Sequence, residues 1–435
     1  MESTQWKALR AAHLDELSKR YAAILQAQEL DAVVLHSGLR RPRRAWDDQY
    51  WPLWPVPHFA HWLPLSEPEC LVVVRPGTAP LLVRFVDDSF WEQPPVEEVA
   101  PDGFEVVEVR DPAKASQHLP PGNVAFVGEP DAAVIGAFTD ERRNPVSLVA
   151  ALEHERSLKT AYEVECIAEA NRRAALGHRR VAEAFQQTDL SELQLHLVYL
   201  ATTEQDDAET PYKNIVAKGE HASTLHHVSY ARRAAEEQSL LLDAGATFHG
   251  YQSDVTRTHV RGVGEIADRF RALVAGLNAM QQRLCAAVSI GAPYEELHER
   301  SHRELAEVMR EVGLWRLSVE EAVGSGATRA FYPHGLGHSL GLQTHDVGCA
   351  VIKPRANNPF LRNTSTVAAG QVFTIEPGIY FIPSLLRPIV ETKAGEAIDW
   401  QLVERLAQFG GIRVEDDLHV GETAVRNLTR EALRD

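Results

Sequence analysis

The segment FYPHGLGHSLGLQTHDVG places His334, His338 and His345 within twelve positions, with Gly335, Gly337 and Gly341 between them. A lone histidine is commonly a satisfied core or surface group. Three in a glycine-rich run, where backbone can come close to a bound group, point to a site. The spacing matches neither a zinc finger nor HExxH, so it names no metal by itself. Asp243 closes the apolar run SLLLD, and Asp254 opens the alternating run DVTRTH. Taken singly, each reads as a turn-capping aspartate near glycine. In a bent hairpin, the two strands bring both carboxylates to one point. Glu376 sits in the apolar strand FTIEPGIYF, just before Pro377-Gly378. Glu415 follows Arg413 by two residues in GGIRVEDD, so the two share a strand face. Glutamate is rarely buried without a partner. Four carboxylates beside imidazoles exceed what one ion needs. Two divalent ions roughly 3.5–4 Å apart, sharing carboxylates and a hydroxide, would use them all. Oxygen-dominated ligation without thiolate favours Mn2+, with Co2+ or Zn2+ able to substitute.

These residues need a scaffold that brings distant strands together. Residues 1–157 read as one α/β domain. A helix carries Leu9, Leu14, Leu17, Tyr21, Ile24 and Leu25 at helical spacing. The strand-like runs DAVVLHSG, ECLVVV, PLLVRF, FEVVEV and NVAFVG follow, and LVAALEHERS closes as a helix. Residues 158–435 form a second unit. Thr160 and Glu163 make a T-x-x-E capping box ahead of a long helix. Further helices alternate with the β-rich segments that hold the acids, so an α+β domain with a curved antiparallel sheet is expected.

The chain has 435 residues, with Lys+Arg 44 against Asp+Glu 61 and a net charge of -17. That balance opposes nucleic acid as a partner. Four scattered cysteines without CxxC read as reduced thiols. MESTQWKALRAAHLDELSKRY holds no apolar secretion core. No apolar run approaches the roughly 18–20 residues that span a bilayer. A cytoplasmic protein with no membrane partner is expected.

The ordered set D, D, H, E, E inside LLDAG, DVTRT, PHGLGH, TIEPG and GGIRVED resembles the dinuclear pita-bread metallopeptidases. The chain resembles in particular the bacterial Xaa-Pro dipeptidases (prolidases) and the similar organophosphorus acid anhydrolases. HSG at His36–Gly38, WDD at Trp46–Asp48, TPYKNIVA at Thr210–Ala217 and FIPSLL extend the likeness over nearly the whole chain. The resemblance implies metal ligation by Asp243, Asp254, His338, Glu376 and Glu415, with Asp254 and Glu415 bridging two ions. It implies outer histidines at His226, His334 and His345, and carboxylate-contacting arginines at Arg362 and Arg413. It makes Tyr212 and Leu225 lining residues, and Asp48 a residue that reaches a neighbouring subunit's site in a homodimer.

Cleavage of Xaa-Pro dipeptides is the implied activity, with Glu376 also shuttling a proton. Organophosphorus triesters are a possible side substrate in the same terms. Three other readings use the same fold. An aminopeptidase P-like enzyme would take longer peptides. Creatinase-like C–N hydrolysis would lack the metal set. A non-catalytic binding protein would have lost ligands, whereas all five are present here.

Overall fold

The computed structural model describes residues 3–87, 89–91 and 101–434. The chain divides into two compact units, Met1–Glu163 and Val164–Asp435. In the first, helix α1 (Ser3–Ala27) precedes strand β1 (Ala32–His36). Helix α2 (Pro57–Trp62), strands β2 (Leu71–Val74), β3 (Leu81–Phe85), β4 (Glu105–Val109) and β5 (Val124–Val127), and helix α3 (Val146–Ser157) follow. The strands form one mixed sheet in the order β4-β3-β2-β1-β5. β1 runs antiparallel to β2 and parallel to β5. The central strands β1 and β2 and the edge strand β5 read as apolar runs because both sheet faces are covered there, whereas β4 at the other edge exposes Glu105 and Glu108. Val33 and Leu35 pack with Leu17 and Tyr21 of α1 and Leu148 of α3. The alternate residues Val34 and Phe126 pack with Val134 and Phe138 on the other face. This is an α/β domain, as the sequence pattern predicts.

The second unit opens with α4 (Ala161–Gln187), which crosses the division, and α5 (Glu192–Thr203). The expected capping box at the start of α4 is present: Thr160 N–H donates to Glu163 Oε2 at 2.8 Å. Strands β6 (Ile215–Lys218), β7 (Ser239–Asp243), β8 (Thr247–Phe248), β9 (Tyr251–Gln252) and β10 (Thr256–Val260) come next. Helices α6 (Glu265–Ala286), α7 (Tyr294–Glu311), α8 (Val319–Gly324) and α9 (Ala327–Phe331) form the middle block. The last part holds β11 (Val372–Ile375), β12 (Gly378–Ile379), α10 (Pro383–Val390), α11 (Trp400–Ala407), β13 (Ile412–Arg413), β14 (Asp416–Val420), β15 (Val425–Asn427) and α12 (Leu428–Arg434).

The sheets of this unit are antiparallel, ordered β10-β7-β6, β11-β14-β15 and β12-β13. Helices α4 and α5 cover β6 and β7 through Val181, Phe185, Leu195 and Tyr199. Helices α6 and α7 cover β11 and β14 through Leu277, Met280, Leu305 and Met309. A bridge between Thr256 and Glu415 joins the first sheet to the end of the chain, and Ser339 bridges Phe373. Register does the rest. Asp243 lies opposite Thr256, and Thr256 lies opposite Glu415. Residues far apart in sequence are thereby set in one row. No helix among the described residues is long and apolar enough to cross a membrane.

Candidate active site

The histidine segment runs beside β11. Thr374 N–H donates to His338 O at 2.9 Å, and Glu376 N–H donates to Leu336 O at 2.8 Å. This close approach explains Gly337. A Cβ there would lie 2.2 Å from Thr374 O and 2.5 Å from the Tyr294 hydroxyl. The packing aims His338 at the acids. Its Nε2 lies 3.4 Å from Asp254 Oδ2, 3.6 Å from Glu376 Oε1 and 4.0 Å from Glu415 Oε1. One ligand atom from each of Asp254, His338 and Glu415 lies within 4.8 Å of the others, and all three residues are buried.

Asp243, at the end of β7, completes the group. Its Oδ2 accepts from Arg413 Nη2 at 2.5 Å. Its Oδ1 is buried with no hydrogen-bond partner among the described residues. Asp254 Oδ1 accepts from the Tyr212 hydroxyl at 2.6 Å, and Glu415 Oε2 accepts from Thr256 Oγ1 at 2.7 Å. The electrostatics are those of a site short of cations. Burial, opposed by Arg413, pushes the Asp243 carboxyl up. Burial and then the neighbouring acids push Glu415 up. Burial pushes Glu376 up to about 7, against His338 and Arg413. Burial also disfavours charge on Asp254 and His338, but their mutual contact outweighs it. The Asp254 carboxyl is held low, and the His338 ring rises to about 9. A bare buried oxygen and a set of crowded carboxylates fit divalent cations, which offset both the repulsion and the desolvation.

Around this centre the other expected residues differ in placement. His345 stacks edge-on to His338, with ring centroids 4.4 Å apart. Its Nδ1 lies 3.0 Å from Arg362 Nη1. Arg362 has no acceptor to give, so Nδ1 accepts and the ring proton sits on Nε2. Burial, then the charges of His338 and Arg362, lower the His345 ring to about 4, so it is a neutral donor. His334 is held at both nitrogens: Nδ1 lies 2.8 Å from Gly335 O, and Nε2 lies 3.0 Å from the Tyr380 hydroxyl. Burial and then Arg413 lower it to about 3. Arg413 is buried, and its guanidinium is taken up by Asp243, Tyr380 and Thr256. The carboxylate it contacts is the protein's own. Arg362, by contrast, is exposed. His226 is exposed, and Leu225 beside it is half-buried. The charge of His226 is among the causes that lower both His334 and His345. Asp48 lies in the first unit, exposed, with Oδ1 accepting from Gln49 Nε2 at 3.1 Å.

Several working residues carried no sequence signal. Tyr380 links His334 to Arg413 through one hydroxyl. Thr256 touches both Glu415 and Arg413. Asp417 is buried and accepts from the Asp254 N–H at 3.0 Å and from Asn171 Nδ2 at 2.8 Å. Only an alternating pattern in β10 and β14 could have pointed to the last two, and it fits ordinary strand residues equally well.

Known proteins match this chain in sequence and in fold. Residues 165–422 match the metallopeptidase family M24 model, and residues 8–154 match the N-terminal domain of Xaa-Pro dipeptidase. An Xaa-Pro dipeptidase of Marinobacter nauticus is 41% identical over 97% of this chain and 98% of its own. Another, from Aeromonas hydrophila, is 38% identical over 99% of both. The solved structure of aminopeptidase P from E. coli with the inhibitor Pro-Leu superposes with a TM-score of 0.73 at 21% identity. It covers 99% of this chain and 96% of that one, and it shows the shared fold. Family members use divalent metal, and the acid-rich pocket described above lies inside the matched region. From one end to the other, the chain belongs to metallopeptidase family M24, in its Xaa-Pro dipeptidase group.

Proposed function

We infer that the chain hydrolyses Xaa-Pro dipeptides, using two divalent ions held by Asp243, Asp254, His338, Glu376 and Glu415, with Mn2+ as the native pair. The observation that carries this reading is the buried convergence of Asp254, His338 and Glu415 beside the bare oxygen of Asp243. It occurs in a chain that matches Xaa-Pro dipeptidases over nearly its full length. Bound there, the ions supply an acidified water and Lewis acidity toward the scissile carbonyl.

The chain's own residues do the rest. An Xaa-Pro bond has no N–H, and its cleavage frees a secondary amine that must gain a proton. Glu376 is the least buried of the four acids, with 17% of its side chain exposed against 2–10% for the others. It is placed to take a proton from water and pass it to the leaving nitrogen. His345 presents Nε2–H to the oxyanion that develops on the carbonyl oxygen. Arg362 is exposed, with one guanidinium nitrogen on His345 Nδ1, and its remaining N–H groups grip the C-terminal carboxylate of the dipeptide. Arg413 and Tyr380 hold Asp243 and His334 in place. The net charge of -17 supports a small peptide substrate over nucleic acid.

The test is a panel of Xaa-Pro dipeptides, Xaa-Pro-Xaa tripeptides and a phosphotriester, run on chelated protein reloaded with Mn2+, Co2+ or Zn2+. Proline release from dipeptides, fastest with Mn2+ and absent after chelation, is the expected result. Full activity after exhaustive chelation, or a preference for tripeptides, would overturn the reading.

A further inference from the structure

Away from the acid-rich centre, the second unit holds another group of metal-binding side chains. Glu192 opens α5 just after its N-cap Ser191, and it is buried. Its Oε1 accepts from the Lys218 N–H at 2.9 Å and faces His221 Nδ1 at 2.7 Å. Its Oε2 accepts from the Ala231 N–H at 2.7 Å and faces His227 Nε2 at 2.9 Å. The two imidazoles stack on each other, with centroids 4.5 Å apart and 25° between planes. One ligand atom from each of the three residues lies within 4.8 Å of the others. His221 comes from the turn Gly219–Ser223, and His227 directly follows His226.

The two backbone N–H groups fill one acceptor position on each carboxylate oxygen. One position per oxygen remains, and a ring nitrogen faces each of them. Burial opposes charge on Glu192, but the bonds from Ala231 and Lys218, then from the two rings, outweigh it and hold its carboxyl below the usual range. The ligand is therefore anionic at neutral pH. Two imidazoles and one carboxylate, completed by solvent, suit a zinc-class ion. His221 has 54% of its side chain exposed, which gives the ion a way in.

We propose that Glu192, His221 and His227 form a separate site for a zinc-class divalent cation, and that the bound ion fixes the segment carrying Leu225 and His226. Little movement is required. Zn–N and Zn–O lengths of about 2.0–2.2 Å in a tetrahedron hold donors about 3.3–3.6 Å apart. Each ring then gives the lone pair of the nitrogen that now faces Glu192, and its proton moves to the other ring nitrogen. Glu192 keeps both backbone hydrogen bonds. Because His226 and His227 are adjacent, anchoring one restrains the other.

The experiment titrates Zn2+ into chelator-stripped full-length protein and counts ions per chain by plasma emission. Wild type is expected to bind one more ion than His221→Ala. Asp254→Asn should keep that ion, and with Co2+ as probe it should keep a four-coordinate spectrum that His221→Ala lacks. In parallel, nitrogen NMR of labelled wild-type imidazoles follows His221 Nδ1 and His227 Nε2. On adding Zn2+ both should move to metal-bound positions, which supports the site even where a variant folds poorly. If those two nitrogens do not move at saturating Zn2+, the proposal is wrong whatever the ion counts.

Discussion

Two aspartates eleven residues apart hold different jobs because their neighbours differ. Asp254 is tied to Tyr212 and His338, whereas Asp243 leans on Arg413 and leaves one oxygen bare. Two of the three histidines of the glycine-rich segment divide in the same way. His338 faces three acids, while His345 faces an arginine. His338→Ala and Asp254→Asn should therefore lower metal content, with affinity falling by more than the roughly 10–100-fold that loss of an outer-shell partner costs. His345→Ala should keep its metal and lose turnover. Equal metal loss in His338→Ala and His345→Ala, read by plasma emission, would show the assignment wrong. Arg362 calls for a different comparison. Leu-Pro and Leu-Pro-amide differ in the carboxylate alone. In wild type the amide should be poorer by roughly 1–2 kcal/mol in kcat/KM, the scale of a charged hydrogen bond discounted for an exposed arginine. In Arg362→Ala the two substrates should become equal. An unchanged gap would make Arg362 a support for His345 only. At this scale much of the candidate site is legible in sequence. Each acid stands at a strand end or a Pro-Gly break, where residue type and pattern disagree. Tyr380 and Thr256 are not legible, because a tyrosine or threonine in a strand satisfies the local pattern whether or not its hydroxyl works.

Elements with helical periodicity follow the sequence closely, α1, α4, α6 and α7 among them, since an apolar face recurs along each, and α4 adds its Thr160–Glu163 cap. The strand order of the first unit does not follow from sequence. Five short strands, β1, β2 and β5 largely buried and β3 and β4 partly so, give no clue to which neighbour each one chooses. The contact between the histidine segment and β11 is also invisible, although Gly337 hints at it. Gly337→Ala should force the segment off Thr374, cost about 1–3 kcal/mol as overpacking does, and lower metal affinity. Thermal melts and ion counts that match wild type would remove the need for that close approach. Helix α7 makes a separate prediction about pH. His298 and His302 lie one turn apart with buried Nδ1 atoms that lack hydrogen-bond partners among the described residues. Burial lowers His298 from 6.5 to about 4 and His302 to about 2. Both are neutral when folded, and the unfolded chain binds more protons below 6.5. Their contribution is thus complete above pH 6.5 and is lost as the pH falls, toward about 4 for His298 and about 2 for His302. Tm should drop across that window, and His298→Gln with His302→Gln should flatten the drop. A double variant with an unchanged acid limb would place the pH sensitivity elsewhere.

For the molecule as a whole, bound ions and fold are linked. An ion present at a hundred times its Kd adds about 2.7 kcal/mol to the folded state. Chelation should therefore lower Tm while far-UV circular dichroism at room temperature stays native, and Mn2+ should restore Tm and hydrolysis together. Loss of the native spectrum on chelation at room temperature would show that the ions are required for folding itself. The buried guanidinium of Arg413, set against Asp243, bears on that difference. It is a positive charge written into the polypeptide at the place where acids crowd most. If chelated chains keep their native spectrum, as expected, a chain made before its divalent ions arrive should wait folded and idle, and adding ions without new synthesis should switch it on.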